Sequence, residues 1–395
     1  MSAVDLGALR RWPDVEAPNL VAVDAADRLL LDTAGEVAPV AASGALAVIG
    51  DAYGALTLGA LGLGAREVRV HQDPLLGERA LAANAARLEL SGYVSLDLVP
   101  ELVAGASLVL LRLPKSLDQL DEWAALIATH AAPDVTVLAA GMVKHMTRAQ
   151  NEVLGRYFGD VQASLARQKA RVITATGVHR SGDFARPAEV AASGTGVSPT
   201  RAASAHPVWP KTARIEPLGI TIAAHGGVFA GAGLDIGTRF LLEHLDDARP
   251  DARAAIDLGC GTGVVAAALA LARPGITVHA TDQSAAAVAS ARETMRLNGL
   301  ADRVTVTRDD ALGAVPDASA ELILLNPPFH TGTTVTAEVG IRLITDAARV
   351  LLPGGELRVV FNSHVHYQPT LRRLVGETRE VARNAKFTIT SSVKR

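Results

Sequence analysis

Cysteine, lysine and aromatic residues are all scarce in this chain. Cys260 is the one cysteine among 395 residues, so an internal disulfide is excluded, and this usage is typical of a reducing compartment. The basic residues comprise 32 arginines and 6 lysines, and the net charge of −3 excludes a strongly basic nucleic-acid carrier, although it is compatible with local basic patches. Aromatic residues make up 4% of the chain, but a hydrophobic content of 49% is ample for buried cores.

Long hydrophobic runs and a recognisable leader are also missing. Apolar runs stay short of the ~18–20 residues that a bilayer-spanning helix needs. The first residues do not show the basic, apolar and small-residue order of a signal peptide, and Arg10, Arg11 and Asp14 interrupt their apolar character. We therefore expect a soluble cytoplasmic protein that has no membrane partner.

Predicted strands and helices alternate along both halves of the chain. In the first half we predict strands at 45–49, 68–71, 108–111 and 135–139, and helices at 55–63, 76–88 and 117–129. In the second half we predict strands at 256–258, 277–281, 304–307, 322–325 and 356–361, and helices at 264–272, 285–297 and 337–351, with a turn at 353–355. This alternation predicts an α/β protein with a doubly wound, mostly parallel sheet in each half.

The two halves can be laid on each other. When residues 50–54 are set on residues 259–263, Asp73 and Asp282 both follow the last glycine by 19 residues, and residues 108–115 fall on 322–329. A segment at 167–173 also echoes 383–389. We interpret this as a duplication that produced two tandem Rossmann-like domains.

The first copy lacks residues that a ligand site of this kind needs. Val48 stands in place of Asp257, and Ala52 stands in place of Gly261. Glycines in such a turn let backbone NH groups approach a ligand closely, and a side chain at residue 52 obstructs that approach. We expect the first copy to be degenerate and only the second to be catalytic.

The segment Asn326-Pro327-Pro328-Phe329 closes a buried strand, at the end of the sheet where α/β proteins bind ligands. Two prolines make a stiff turn that leaves the Asn326 amide and the Pro327 carbonyl as acceptors, and Phe329 adds a flat apolar face. These features suit a planar substrate with an exocyclic amine. The same positions in the first copy carry Arg112 and Lys115, which suit contact with phosphate or are solvated surface charges.

The turn of the second copy consists of an acid and three glycines, which are Asp257, Gly259, Gly261 and Gly263. Asp282 ends the next strand, where its carboxylate can accept hydrogen bonds from a ribose diol, and Asp310 can accept one from an adenine amine. The absence of a lysine after the glycines argues against phosphoryl transfer. A dehydrogenase is compatible with the fold alone, but the strand end carries no acid or base to accompany hydride transfer.

In this order and spacing, residues 257–263, Asp282, Asp310 and 326–329 resemble motifs I to IV of the class I methyltransferases that use S-adenosylmethionine. With the degenerate first copy, residues 227–229 and 233–237, and the segment 362–367, almost the whole chain resembles the bacterial ribosomal RNA guanine-N2 methyltransferases of the small or large subunit. The first half is slightly more similar to the large-subunit family.

The resemblance implies methyl transfer from S-adenosylmethionine to the N2 amine of a guanine in ribosomal RNA. It implies that Phe229 and Asp235 line the cofactor entrance, with Asp235 near the methionine amine. The implied partner is ribosomal RNA or a ribosomal subunit; we expect a monomer and no metal. The domains implied are a degenerate copy at 1–175 for RNA recognition or scaffolding, a linker at 176–212 rich in Gly, Ser, Pro and Ala, and a catalytic domain at 213–395.

Two other functions are compatible with parts of the sequence. One is N-methylation of a protein glutamine or a small molecule, against which the degenerate first copy argues. The other is a noncatalytic RNA-binding factor in ribosome assembly, which the intact second copy disfavours. His364 and His366 lie two residues apart, but no further ligand with suitable spacing completes a metal site. Cys260 is better explained by steric fit within the turn than by nucleophilic chemistry.

Overall fold

The computed structural model describes residues 4–37, 45–179, 208–328 and 334–395, without the side chains of residues 37 and 334–337. The chain divides into two compact units. Unit 1 comprises Met1–Arg11, Pro18–Gln72 and Ala80–Trp209, and unit 2 comprises Trp12–Ala17, Asp73–Arg79 and Pro210–Arg395. Within the described ranges, no helix is both long enough and apolar enough to cross a membrane.

Unit 1 is organised around one sheet. Its strands are β1 (Ala45–Ile49), β2 (Val68–His71), β3 (Tyr93–Ser95), β4 (Ala106–Arg112), β5 (Thr136–Met142), β6 (Phe158–Ala163) and β7 (Ala170–Val178). The helices in this part of the chain are α1 (Ala25–Val37), α2 (Ala55–Gly62), α3 (Leu75–Arg87), α4 (Pro100–Val103), α5 (Leu117–His130) and α6 (Arg148–Leu154). The strand order is β3-β2-β1-β4-β5-β7-β6, with β7 antiparallel to both of its neighbours.

Unit 2 carries a second sheet of the same kind beside the two-stranded pair β8 (Lys211–Ile215) and β9 (Ile220–Ala224). The other strands are β10 (Ala254–Leu258), β11 (Thr277–Asp282), β12 (Val304–Arg308), β13 (Ala320–Leu325), β14 (Leu351–Asn362), β15 (Gly376–Arg383) and β16 (Phe387–Lys394). Its helices are α7 (Ile236–Leu242), α8 (Val264–Ala272), α9 (Ala285–Leu297), α10 (Thr334–Val350) and α11 (Gln368–Leu374). The order β12-β11-β10-β13-β14-β16-β15 repeats the order in unit 1.

The central strands are buried on both faces, which explains their continuous apolar sequences. In β13, Leu322 and Leu324 belong to one core cluster while Ile323 and Leu325 belong to the cluster on the opposite face. The same alternation occurs in β4 of unit 1. The predicted mixed α/β fold with two sheets of parallel strands is confirmed by this arrangement.

The turn predicted at 353–355 is wrong. These residues lie inside β14, which begins at Leu351, directly after α10. Ala320 pairs with Leu351 whereas Leu322 pairs with Glu356, so the extra residues bulge out of the ladder between the two pairs. Gly354 supplies the positive φ of +76° that the bulge requires. The Pro-Gly-Gly sequence indicated a change of direction, but pairing with β13 on both sides keeps the strand continuous.

The ends of the predicted linker are strand. β7 continues to Val178 and β8 begins at Lys211, while residues 180–207 lie outside the described residues. The antiparallel hairpins β6–β7 and β15–β16 contain the echo between 167–173 and 383–389. Sequence periodicity missed β6 because most of that edge strand is exposed and carries no apolar run.

Candidate cofactor and substrate site

The carboxyl ends of β10, β11 and β13 meet at a cavity of about 330 Å³ in unit 2. Ten of the twelve site residues predicted from the sequence line this cavity. The exceptions are Gly263, which lies behind it, and Phe329, which lies outside the described residues. The sheet therefore brings acids, glycines and the Asn-Pro-Pro turn from residues 257–328 to one cavity.

The three glycines of the turn have two different roles. Gly259 and Gly261 have φ angles of +73° and +54°, and a Cβ atom on either would meet nothing within 4 Å. They leave open space through which a ligand can approach the backbone. A Cβ on Gly263 would lie 2.9 Å from Met295 Cε and 3.0 Å from Ala291 Cβ, so this glycine allows α8 to pack closely against α9.

Asp257 is a buried carboxylate on β10 that holds the start of α8. Its Oδ2 accepts a hydrogen bond of 3.0 Å from the Ala266 amide. Burial raises the pKa of Asp257 to about 7, because removal from water disfavours the charged form. Ionisation of Asp257 at this buried position therefore lowers the stability of the folded chain.

We predict that Asp257→Asn reduces the pH dependence of stability between pH 5 and pH 8. The unfolded chain ionises near pH 3.8 and the folded chain near 7, so the wild-type contribution favours folding at low pH and is lost as pH rises through about 7. From pH 5 to pH 8 the melting temperature of the variant should rise by several degrees relative to that of the wild type. Each kcal/mol of stability corresponds to roughly 2–4 °C in melting temperature.

Calorimetry at several pH values measures the effect, with the exposed Asp302→Asn as the control. A difference between variant and wild type that stays constant from pH 5 to pH 8 would show that Asp257 does not titrate in this range.

Asp282 connects the end of β11 to the glycine turn. Its Oδ2 accepts a hydrogen bond of 3.0 Å from the Gly261 amide, and its Oδ1 accepts one of 2.9 Å from the Ser284 amide. Burial raises the pKa of this carboxyl group, while these two amides oppose the shift. Each carboxylate oxygen keeps a further lone pair, so Asp282 can still accept hydrogen bonds from a ribose diol.

Asp310 forms an ion pair that sequence analysis did not foresee. Arg342 on α10 contacts its two carboxylate oxygens at 2.6 and 3.2 Å, and Arg342 also lines the cavity. Burial raises the pKa of Asp310, and the charge of Arg342 counteracts this shift. Any adenine amine bound here would share the carboxylate with a guanidinium. The spacing between the two residues gave no signal, because α10 comes from a distant part of the chain.

The Asn326 side chain is held by Thr238 of α7 and by Asp235, the N-cap residue of that helix. Its Nδ2 donates to Thr238 Oγ1 at 2.9 Å and lies 3.5 Å from Asp235 Oδ2. Asp235 caps α7 by accepting from the Thr238 amide at 3.1 Å. Thr238 was not among the predicted site residues, although an Asp three residues before a Thr at a helix start is a usable capping signal.

The other end of the Asn326 amide has no partner. Among the described residues, none forms a hydrogen bond with Asn326 Oδ1, which is buried. A buried unsatisfied acceptor costs about 1–3 kcal/mol. Because Thr238 and Asp235 hold the donor end, the acceptor end is available to a donor that enters the cavity.

Pro327, Phe229 and Cys260 give the cavity an apolar, unreactive part of its lining. Pro327 is buried, whereas Phe229 is 52% exposed and contributes an apolar surface to the lining. Burial raises the pKa of the Cys260 thiol well above its ordinary value, with the carboxylates of Asp282 and Asp257 adding to the shift. A neutral buried thiol is a poor nucleophile, which agrees with a steric role for Cys260.

The same sheet end in unit 1 is closed by its own side chains. Asp51, in the turn, accepts from the Gly54 and Thr57 amides at 3.1 and 2.9 Å. Thr57 corresponds to Ala266, so each unit uses a buried carboxylate on this helix amide, but from a different position. Ala52 is not among the described residues with positive φ, unlike its counterpart Gly261.

Arg112 does not supply the free charge that the sequence suggested. Its guanidinium donates to both oxygens of Asp24 at 2.5 and 2.8 Å and to Asp27 at 3.0 Å. The hypothesis of phosphate contact at Arg112 is therefore wrong, because Asp27 of α1, a helix that we did not predict, and Asp24 just before it both pair with Arg112. Of the two cations at this strand end, Lys115 is the exposed one.

Comparisons with known proteins place the chain in a family. The methyltransferase small domain matches residues 219–391, and the RLMG N-terminal domain matches residues 3–179. Relatives named ribosomal RNA large subunit methyltransferase G, from Streptomyces coelicolor and Pseudomonas aeruginosa, are 36% and 37% identical, and each alignment covers 98% of this chain and 97% of the relative. The chain belongs to this methyltransferase family. The predicted resemblance is thereby confirmed.

A solved structure shows that the methyltransferase fold extends along most of both chains. The 16S rRNA N2 methyltransferase RsmC of T. thermophilus, in complex with AdoMet and guanosine, superposes with a TM-score of 0.69 at 24% identity. The superposition covers 94% of the present chain and 92% of the RsmC chain. In the described parts of the chain, no group of three or more His, Cys, Asp or Glu side chains could hold a metal ion.

Proposed function

We propose that this protein transfers a methyl group from S-adenosylmethionine to the exocyclic N2 amine of a guanine in ribosomal RNA. The observation that carries the proposal is the buried, unpaired Asn326 Oδ1 at the cavity that also contains the glycine turn and Asp282. The names of the relatives support ribosomal RNA as substrate, and the name of RsmC supports the N2 position.

The cofactor is S-adenosylmethionine, and the residues of the cavity fit it. The open space above Gly259 and Gly261 admits a ligand to the turn, and Asp282 can accept from the ribose hydroxyls. Asp235 supplies a carboxylate for the ammonium group of the methionine part. We assign the adenine amine to Asp310, which also pairs with Arg342.

When bound, S-adenosylmethionine supplies a methyl group on a positively charged sulfur. The work left to the protein is to hold the amine in line with that methyl group. Asn326 Oδ1 and the Pro327 carbonyl accept the two hydrogens of the guanine amine. This favours a pyramidal nitrogen and stabilises the positive charge that develops on it as the carbon–sulfur bond breaks and the carbon–nitrogen bond forms. The nitrogen then loses a proton to solvent, so no strong base is required.

The RNA must present the guanine outside its stack. A base inside a helix cannot reach a strand-end cavity, so it has to be unstacked and turned into the site. We infer that Pro327 and Pro328 support the base and that Phe329 supplies the stacking ring.

We further infer that unit 1 is a degenerate methyltransferase copy that binds no cofactor. Its strand order equals that of unit 2, which supports duplication. Its own carboxylate, Asp51, occupies the helix start, and Arg112 is tied to Asp24 and Asp27 at the position of Asn326. We propose 1–175 for RNA recognition or scaffolding and 213–395 for catalysis, joined by the linker predicted at 176–212, whose ends belong to β7 and β8. We also propose that the protein is a monomer in the cytoplasm.

Thr238 is predicted to position Asn326. Thr238→Val keeps the shape of the side chain but removes the acceptor for Asn326 Nδ2, so the amide can rotate. We expect kcat to fall by roughly tenfold, the equivalent of one hydrogen bond, with the KM for S-adenosylmethionine unchanged. Steady-state methylation kinetics measure both constants.

The matched control for this prediction is Thr238→Ser, which keeps the hydroxyl group and should recover most of the activity. Wild-type activity in the Val variant would remove the positioning role, and a loss in the Ser variant would show that the methyl group of Thr238 also matters through packing.

The function itself is tested by transfer of tritium from labelled S-adenosylmethionine. Purified ribosomal subunits and deproteinised ribosomal RNA are offered separately, and the labelled RNA is digested to nucleosides. The expected product is N2-methylguanosine in one of the ribosomal RNAs. Label in protein only, or in a nucleoside other than methylated guanosine, would overturn the proposal.

A further inference from the structure

One edge of unit 1 carries a concentration of exposed basic side chains. Lys115 follows β4, Lys144 and His145 follow β5, and Arg148 begins α6. The tip of the β6–β7 hairpin adds Arg167 and Lys169. We call these six side chains the basic edge.

The sheet topology brings these segments together. β4 and β5 are parallel neighbours, so residues 115 and 144 follow the same end of the sheet. β7 runs antiparallel to β5, with Met142 opposite Ala170, so the hairpin tip lies at that end as well. The Val143 amide donates to the Lys169 carbonyl at 2.8 Å, which fixes the tip beside the end of β5.

The basic edge retains its positive charge. It holds three of the six lysines of a chain in which arginine is five times as common. Within the described residues, no ion pair involves Lys115, Lys144 or Lys169, and Arg167 has a long contact of 3.9 Å to an exposed Asp32. At the end of β4, Asp24 and Asp27 form ion pairs with Arg112.

The hairpin tip has an unusual backbone. Gln168 and Lys169 have φ angles of +50° and +65°, a conformation that residues other than glycine seldom adopt. Two such residues in succession carry a local cost that persists where other interactions or a function maintain it. Here the strained turn keeps Arg167 and Lys169 at the exposed end of the sheet.

We propose that the basic edge binds the phosphate backbone of ribosomal RNA. This inference rests on the proposed function. The three strands β4, β5 and β7 are adjacent, so the edge spans roughly 10 Å at about 4.8 Å per strand. Duplex nucleic acid carries about one charge per 1.7 Å of axis, so several phosphates fit against this span. The contacts are independent of sequence and supply affinity while the cavity of unit 2 supplies the choice of base.

The test compares two double variants of the full chain. Lys144→Gln with Lys169→Gln removes two charges of the basic edge while keeping side chains of similar length at both positions. Arg66→Gln with Arg87→Gln is the matched control, because these exposed arginines lie at the opposite end of the sheet, before β2 and at the end of α3. Binding to deproteinised ribosomal RNA is measured across a series of salt concentrations, and methylation kinetics are measured on the same RNA.

We expect the edge variant to bind about tenfold more weakly and its slope of log affinity against log salt to shrink by about 1.5, the equivalent of two lost phosphate contacts. The KM for RNA should rise while kcat at saturating RNA stays unchanged. A second pair, Lys115→Gln with Lys144→Gln, should show the same changes in affinity and salt slope. Because both residues lie outside the β6–β7 hairpin, this pair excludes misfolding of the hairpin as the cause.

An unchanged salt slope in both edge variants, or an equal loss in the control pair, would overturn the proposal. Tighter binding to anionic phospholipid vesicles than to RNA would overturn it in favour of a membrane surface. If wild type binds RNA with the expected slopes but methylates no ribosomal RNA, the proposed function fails and the basic edge stands.

Discussion

Replacement of Asn326 by alanine is expected to lower kcat for methyl transfer by about 100-fold or more. The acceptor lost is the one that would stabilise positive charge on the guanine amine, and removal of one preorganised polar group at a reacting atom typically costs 10²–10³ in rate. Affinity for S-adenosylmethionine should change little, because Asp282 and the glycine turn are untouched. Single-turnover transfer and equilibrium binding of the cofactor separate the two effects.

The stability of the Asn326→Ala variant distinguishes a functional group from a structural one. Asn326 Oδ1 makes no hydrogen bond among the described residues, so its loss removes an unsatisfied group. The hydrogen bond from Nδ2 to Thr238 is lost at the same time, and the two changes roughly cancel. We expect a free energy of unfolding within about 1 kcal/mol of wild type. A kcat within twofold of wild type would exclude Asn326 from the reaction.

Arg112→Ala, the corresponding change in unit 1, is expected to have the opposite profile. It should destabilise unit 1 by about 2–4 kcal/mol, since removal of one partner from a largely buried ion pair leaves charges uncompensated. Asp24 and Asp27 would then face each other without the guanidinium. Methyl transfer per folded molecule should stay unchanged. Chemical denaturation followed by tryptophan fluorescence is a suitable measurement, because Trp123 is buried beside Gly50 in the same unit.

The loss in the Arg112→Ala variant should depend on pH. Burial already raises the pKa of Asp27 to about 7 even though Arg112 opposes the shift. Without Arg112 the pKa of this group rises further, so Asp27 is mostly protonated at pH 5 and the loss there is smaller than at pH 8. Adding Asp24→Asn and Asp27→Asn should restore much of the stability at pH 8. A pH-independent loss that these changes fail to restore would exclude the charge cluster as its cause.

The strands at the centre of both sheets were predictable because their signal is local. Residues 322–325 and 108–111 are apolar without interruption, as strands buried on two faces must be, and the Gly-rich turns mark where each first strand meets its helix. Edge elements gave weaker signals. β6 is mostly exposed, and α1 lies outside the alternating pattern from which the other elements were predicted.

The residues of the site also divide into those that the sequence predicted and those that it did not. Asp257, Asp282 and the turn 326–328 lie at strand ends, and parallel strands bring their carboxyl ends to one edge, so sequence order was enough to bring these residues to one cavity. Thr238 and Arg342 come from α7 and α10. Their contacts with Asn326 and Asp310 depend on how helices pack on the sheet, which no spacing in the chain encodes.

The sequence by itself determined the fold class, the methyltransferase family and most of the residues around the cavity, because these follow from local patterns and from the regular geometry of parallel sheets. Only the tertiary structure decided which polar atoms are satisfied. It showed that Asn326 keeps a buried acceptor without a partner, whereas Arg112 at the equivalent strand end is neutralised by Asp24 and Asp27. The physical reason is that charge and hydrogen-bond compensation depend on groups that are distant in the chain and meet only when it folds.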